Sequence, residues 1–125
     1  MLNKYKYSIL YVETDKLVSS ITLECLNRYF TTIYHTDDGK EAFQIYKNRK
    51  PDIIITAIKI PKINGLELSY NIRKDNKKIP IIALTSNDGV EDICKTKAIG
   101  MNAHLSKPIE PITLYEAFDK YINVA

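Results

Sequence analysis

The chain is 125 residues long, 45% apolar and 26% charged, with a net charge of +3. A chain of this size buries a full core without disulfides or metals, and its balance excludes a disordered segment. Lys and Arg are scattered among Asp and Glu, so no direct nucleic-acid binding is expected.

The N-terminal MLNKYKYSIL lacks a long apolar core, and no segment approaches membrane-spanning length. Cys25 and Cys94 fall within separate helical patterns and read as small buried hydrophobes. A cytoplasmic, reducing setting with no membrane contact is therefore expected.

The first aliphatic run, YSILYV (7–12), predicts a strand. Over 16–29, Leu17, Val18, Ile21, Cys25 and Leu26 recur at helical spacing, with Thr14 or Asp15 as N-cap. TTIYH (31–35) is a second strand. A helix follows over 38–48, carrying Ala42, Phe43, Ile45 and Tyr46, and Lys50-Pro51 stops it. DIIITA (52–57) is apolar at nearly every position, as a central parallel strand covered on both faces should be.

Past Asn64-Gly65, Leu66, Leu68, Ser69 and Ile72 mark a helix over 65–74. The basic run RKDNKK (73–78) contains Asp75 and reads as a solvated helix end. IPIIALT (79–85) is the fourth strand. Val90, Ile93, Cys94 and Ala98 or Ile99 line a helix over 89–99, ended by Gly100. AHLS (103–106) is the fifth strand. Pro111 opens a last helix over 111–122, with Leu114, Tyr115, Phe118 and Ile122 inward.

Strict alternation of strand and helix implies one α/β domain over 1–125. Its parallel five-stranded sheet carries helices on both faces, in three layers, with the flavodoxin-like order 2-1-3-4-5. In such a sheet, ligands bind beyond the carboxyl ends of the strands where the order reverses, between the first and third. The residues delivered there are Glu13 and Thr14, Ala57, Thr85 and Ser86, and Lys107.

Four segments in this order carry a resemblance: ILYVETD, PDIIITAIKIPKINGLEL, IPIIALTS and HLSKPIEP. Together they resemble the receiver domains of bacterial two-component response regulators, the fold of the chemotaxis response regulator. In that family two acids after the first strand and an Asp ending the third bind Mg²⁺, and that Asp accepts a phosphoryl group. A Thr or Ser on the fourth strand and a Lys before Pro on the fifth contact the phosphoryl oxygens.

By position the resemblance assigns Glu13 to the first acid, Thr85 to the hydroxyl and Lys107 to the lysine. Thr14 stands where the second acid belongs, and Ala57 where the phosphoacceptor belongs. A methyl group cannot form an acyl phosphate, and Mg²⁺ needs hard oxygen ligands, so neither phosphorylation nor a cofactor is expected. Thr56 faces away from the pocket and Asp52 starts the strand; Thr14 is better placed, but its hydroxyl is a poor acceptor without a base and a metal, so none of them substitutes.

A semi-buried Lys107 needs a carboxylate, and Glu13 is the one left, which reads as a structural ion pair in a vestigial pocket. Thr85 reads as a hydroxyl bonded within the following loop. His104 stands where the family carries an aromatic switch residue, and its simpler reading is an exposed polar strand residue. His35 has no ligand-spaced neighbour, so no metal site is expected. The resemblance also implies a cis bond before Pro108 and a partner or homodimer surface on the fourth helix, fifth strand and fifth helix. There Glu91, Asp92, Lys95, Lys97, Glu116, Asp119 and Lys120 mix signs.

The leading expectation is an atypical, non-enzymatic receiver acting by protein interaction, with a histidine kinase or output domain as partner. One alternative is an ordinary Asp-phosphorylated regulator whose acceptor was replaced by Ala57 by design. Thr14 counts against it, because one change does not explain both departures. A flavodoxin-type FMN carrier would need a Ser/Thr/Gly-rich phosphate loop, and VETDKLVSS has no glycine and two acids there.

Overall fold

A computed structural model describes residues 5–85, 90–107 and 110–121, with side chains described for 7–85, 95–107 and 110–121. Along it run β1 (Tyr5–Val12), α1 (Lys16–Asn27), β2 (Phe30–Thr36), α2 (Gly39–Arg49) and β3 (Ile53–Ala57). They are followed by α3 (Gly65–Asp75), β4 (Ile81–Thr85), α4 (Val90–Ile99), β5 (Ala103–Ser106) and α5 (Pro111–Tyr121). All four strand pairings are parallel, in the order β2-β1-β3-β4-β5. This is the doubly wound, flavodoxin-like arrangement that the alternation predicts.

The period of two along each strand splits the core into two layers. Ile9, Tyr11, Ile55 and Leu84 face α1 and α5, where Phe30 meets Phe118 edge-on with ring centroids 4.9 Å apart. Leu10, Ile54, Ile81 and Ala83 face α2 and α3 and pack on Tyr46, Leu68 and Ile72. β3 and β4 are buried at every position, which explains their unbroken aliphatic runs.

Local chemistry sets the ends of the elements. Asp38 caps α2 and Asn64 caps α3, each side chain accepting from a backbone N–H three residues on. α2 ends at Arg49; its C-cap Lys50 sits at φ 48° with its N–H on the Tyr46 carbonyl, and Pro51 bars the helix from continuing. β1 starts at Tyr5 and β2 at Phe30, both earlier than their aliphatic runs suggest. β4 starts at Ile81 rather than 79, because Asn76 Oδ1 takes the Ile79 N–H at 3.0 Å and Pro80 has none to give.

α1 departs furthest from expectation. Its predicted inner stripe included Leu17 and Ile21, yet these are 71% and 50% exposed, and the buried residues are Ser19, Thr22 and Leu26. The Asp15 cap fixes where the helix begins, and the fully buried Tyr11 ring sits in the core layer beneath it. The hydroxyls of Ser19 and Thr22 face that phenol without an aligned hydrogen bond. Cys25 is half-buried against the same core layer. Ser86, Pro108, Ile122 and the side chains of Tyr5, Val90, Glu91, Asp92, Ile93 and Cys94 lie outside the described residues.

Candidate functional site

The site forms where β1, β3, β4 and β5 deliver their last residues. Asp15 is the N-cap of α1, its Oδ1 accepting from Leu17 N at 2.9 Å and Val18 N at 3.0 Å. That carboxylate is committed to the helix. Glu13 turns the other way, with its side chain only 1% exposed. Its Oε2 accepts from the backbone N–H groups of Thr14 at 3.1 Å and Asp15 at 3.2 Å. Its Oε1 lies 2.6 Å from Lys107 Nζ, off the direction of an aligned hydrogen bond, so the contact is an ion pair by charge.

Backbone geometry puts Lys107 there. Its N–H donates to the Thr85 carbonyl at 2.8 Å, continuing the β4–β5 ladder beyond Ser106. Thr85 itself is 3% exposed, and its Oγ1 has no hydrogen-bond partner among the described residues. The loop bond expected for that hydroxyl is therefore not made among them. Ala57 closes β3, buried at 1% exposure beside Ile58 and Ile60.

Thr56 is fully buried and spends its hydroxyl on the Ala57 carbonyl at 2.8 Å. Asp52 lies at the far end of the strand, accepting from Ser8 N at 2.8 Å. Neither places an oxygen at the tip. Thr14 is exposed and lines a cleft of about 450 Å³ with Glu13, Lys16, His35, Asp37 and Glu41. His104, opposite Ala83 in the ladder, is half-buried rather than exposed as a surface residue would be. His35 is exposed and stacks on Tyr11 with centroids 5.1 Å apart. Among the described residues, no three His, Cys, Asp or Glu side chains converge as a metal site.

The sequence reading overlooked how tightly the loop after β3 is held. Gly65 N donates to the Ile58 carbonyl at 2.8 Å, and a Cβ on Gly65 would overlap the Ala57 carbonyl oxygen. Gly39 N donates to the Pro61 carbonyl at 3.2 Å, and Lys62 reaches Asp38 at 3.3 Å. Asn64-Gly65 was the available signal, though it announces a turn and not its partner.

The strand order and the spacing of the segments at the strand ends match one family. The model of the response regulator receiver domain aligns with residues 9–119. The chain belongs to this family. As a receiver domain it is 36% identical over 107 residues to the probable transcriptional regulator ycf29 of Porphyra purpurea, covering 84% of this chain and 51% of that protein. It is 26% identical to the probable C4-dicarboxylate response regulator DctR of Priestia megaterium, covering 96% of this chain and 54% of that one.

The receiver domain thus spans about half the length of these relatives. A putative response regulator from Chloroflexus aurantiacus superposes with a TM-score of 0.86 at 28% identity, covering 95% of this chain and 99% of that one. The receiver domain of the sensor histidine kinase PA1611 from Pseudomonas aeruginosa gives 0.85 at 25% identity, covering 95% and 99%. That structure carries a magnesium ion coordinated in its active-site cleft. Among the described residues, no helix of this chain is long and apolar enough to cross a membrane.

Proposed function

We propose that this receiver domain works as a phosphorylation-independent protein-interaction module in two-component signalling. The single observation that carries the reading is Ala57 at the end of β3, a buried methyl group where the family resemblance calls for the phosphoaccepting carboxylate. Among the described residues no neighbouring oxygen substitutes: Thr56 is bonded to its own strand, Asp52 is at the opposite end, and Thr14 offers only an unactivated hydroxyl.

As they stand, the remaining donors do not hold Mg²⁺, which keeps several waters but needs one or two free carboxylates. Thr14 offers a neutral hydroxyl, Asp15 caps a helix, and Glu13 has both oxygens engaged. The domain therefore binds rather than catalyses. Its partner, a histidine kinase or an output domain, docks on α4, β5 and α5, where the described charges mix signs as an isologous homodimer face would.

Incubation with acetyl phosphate and Mg²⁺ followed by intact-mass measurement tests this. The mass stays unchanged; a labile gain of one phosphoryl group would overturn it.

A further inference from the structure

A carboxylate removed from water needs a positive partner, because its charge is otherwise uncompensated in a poorly polarisable medium. Glu13, 1% exposed at its side chain, finds that partner in Lys107 Nζ at 2.6 Å, from the other end of the chain. Two backbone N–H groups fill the second oxygen. With a methyl group at position 57, no carboxylate on β3 competes for the ammonium.

We infer that Lys107 is the built-in cation of this pocket, holding the position at Glu13 that a divalent ion would need and closing the pocket to external metal. The inference rests on reading Ala57 as the centre of the site. A divalent ion binds carboxylate oxygens at about 2.0–2.6 Å, depending on the ion. It would have to displace an ammonium already at contact distance from Oε1, and the ammonium would then be left beside a second, larger positive charge.

The Lys107 backbone is anchored at the pocket, because its N–H is bonded to the Thr85 carbonyl at 2.8 Å. The ion pair and this backbone bond therefore join the ends of β1, β4 and β5 without metal or phosphoryl group.

The test is thermal melting of the full chain and of Lys107→Met, Glu13→Gln and the double variant, each with and without millimolar Mg²⁺ or Mn²⁺. The wild-type midpoint is expected not to move with either ion. Each single variant melts lower, and the double variant costs less than the two singles together. The freed Glu13 in Lys107→Met takes up the ions, so its midpoint rises by a few degrees and saturates, while the double variant stays insensitive.

If Lys107→Met fails to fold, recovery by added cation or by the second substitution supplies the same readout. A cation-dependent rise in the wild type, strict additivity of the singles, or a Lys107→Met variant deaf to both ions would each overturn the inference. A wild type that takes up Mn²⁺ but no phosphoryl group sinks this inference alone.

Discussion

Arg73 closes the lower edge of the sheet, and its removal gives a sharp energetic test. Its guanidinium donates from Nε to the Gly100 carbonyl at 2.9 Å, from Nη1 to the Asn76 carbonyl at 3.1 Å, and from Nη2 to Asn102 Oδ1 at 2.8 Å. Asn102 also accepts from Ile81 N at 2.8 Å through the same Oδ1, and its carbonyl accepts from Tyr121 Oη at 2.7 Å. One planar fork therefore ties α3 to the loop before β5, which in turn holds the start of β4 and the end of α5. Partial burial lowers the pKa of the guanidinium, yet it stays charged.

A hydrogen bond involving a charged group contributes about 1.5–3 kcal/mol. Water replaces part of each in Arg73→Met, because the site is half-exposed, so about 2–3 kcal/mol should be lost in total. Urea unfolding measures this directly, with the midpoint falling at unchanged slope. For a domain of this size the melting temperature should drop by about 10 °C. Arg73→Lys should recover only a minor part, since one ammonium cannot reach three acceptors. A loss below about 0.5 kcal/mol, or a lysine variant equal to wild type, would refute the clamp.

Asp38 is held below the ordinary aspartate range, first by the backbone N–H of Glu41 and then by Lys62. Its stabilisation is thus full above the unfolded-state value and fades as pH falls through the lower folded value. Asp38→Asn should keep the cap and flatten that acid slope, whereas Asp38→Ala should cost about 1 kcal/mol at neutral pH, both read by urea titration against pH.

Burial pushes Tyr11 up to about 12, so ultraviolet titration should show it ionising well above the ordinary tyrosine value of 10.0. Because its hydroxyl lacks an aligned partner, Tyr11→Phe should cost nothing or stabilise; a loss above about 1 kcal/mol would mean that Ser19 or Thr22 bonds it. On α1, Leu17→Ser and Ile21→Ser should change stability by less than about 0.5 kcal/mol, while Leu26→Ala should cost about 2–5 kcal/mol.

Much of the architecture was legible residue by residue. The aliphatic runs at 52–57 and 79–85, the Lys50-Pro51 stop and the Asn64-Gly65 turn are local signals, and they located their elements to within two residues. The alternation then left one reasonable strand order, and that order selects which residues meet at the carboxyl edge. Position 57 carries a methyl group in any conformation.

Burial and pairing were not local. Both faces of α1 carry some apolar residues, so periodicity alone could not choose between Leu17 with Ile21 and Ser19 with Thr22; packing over Tyr11 chose. Asp15 and Glu13 read alike as acids after a strand, and only the folded backbone assigns one to the helix cap and buries the other against Lys107. The physical reason is range: propensity and capping act within a turn or two of the chain, whereas the cost of burying a charge depends on which distant residue arrives beside it.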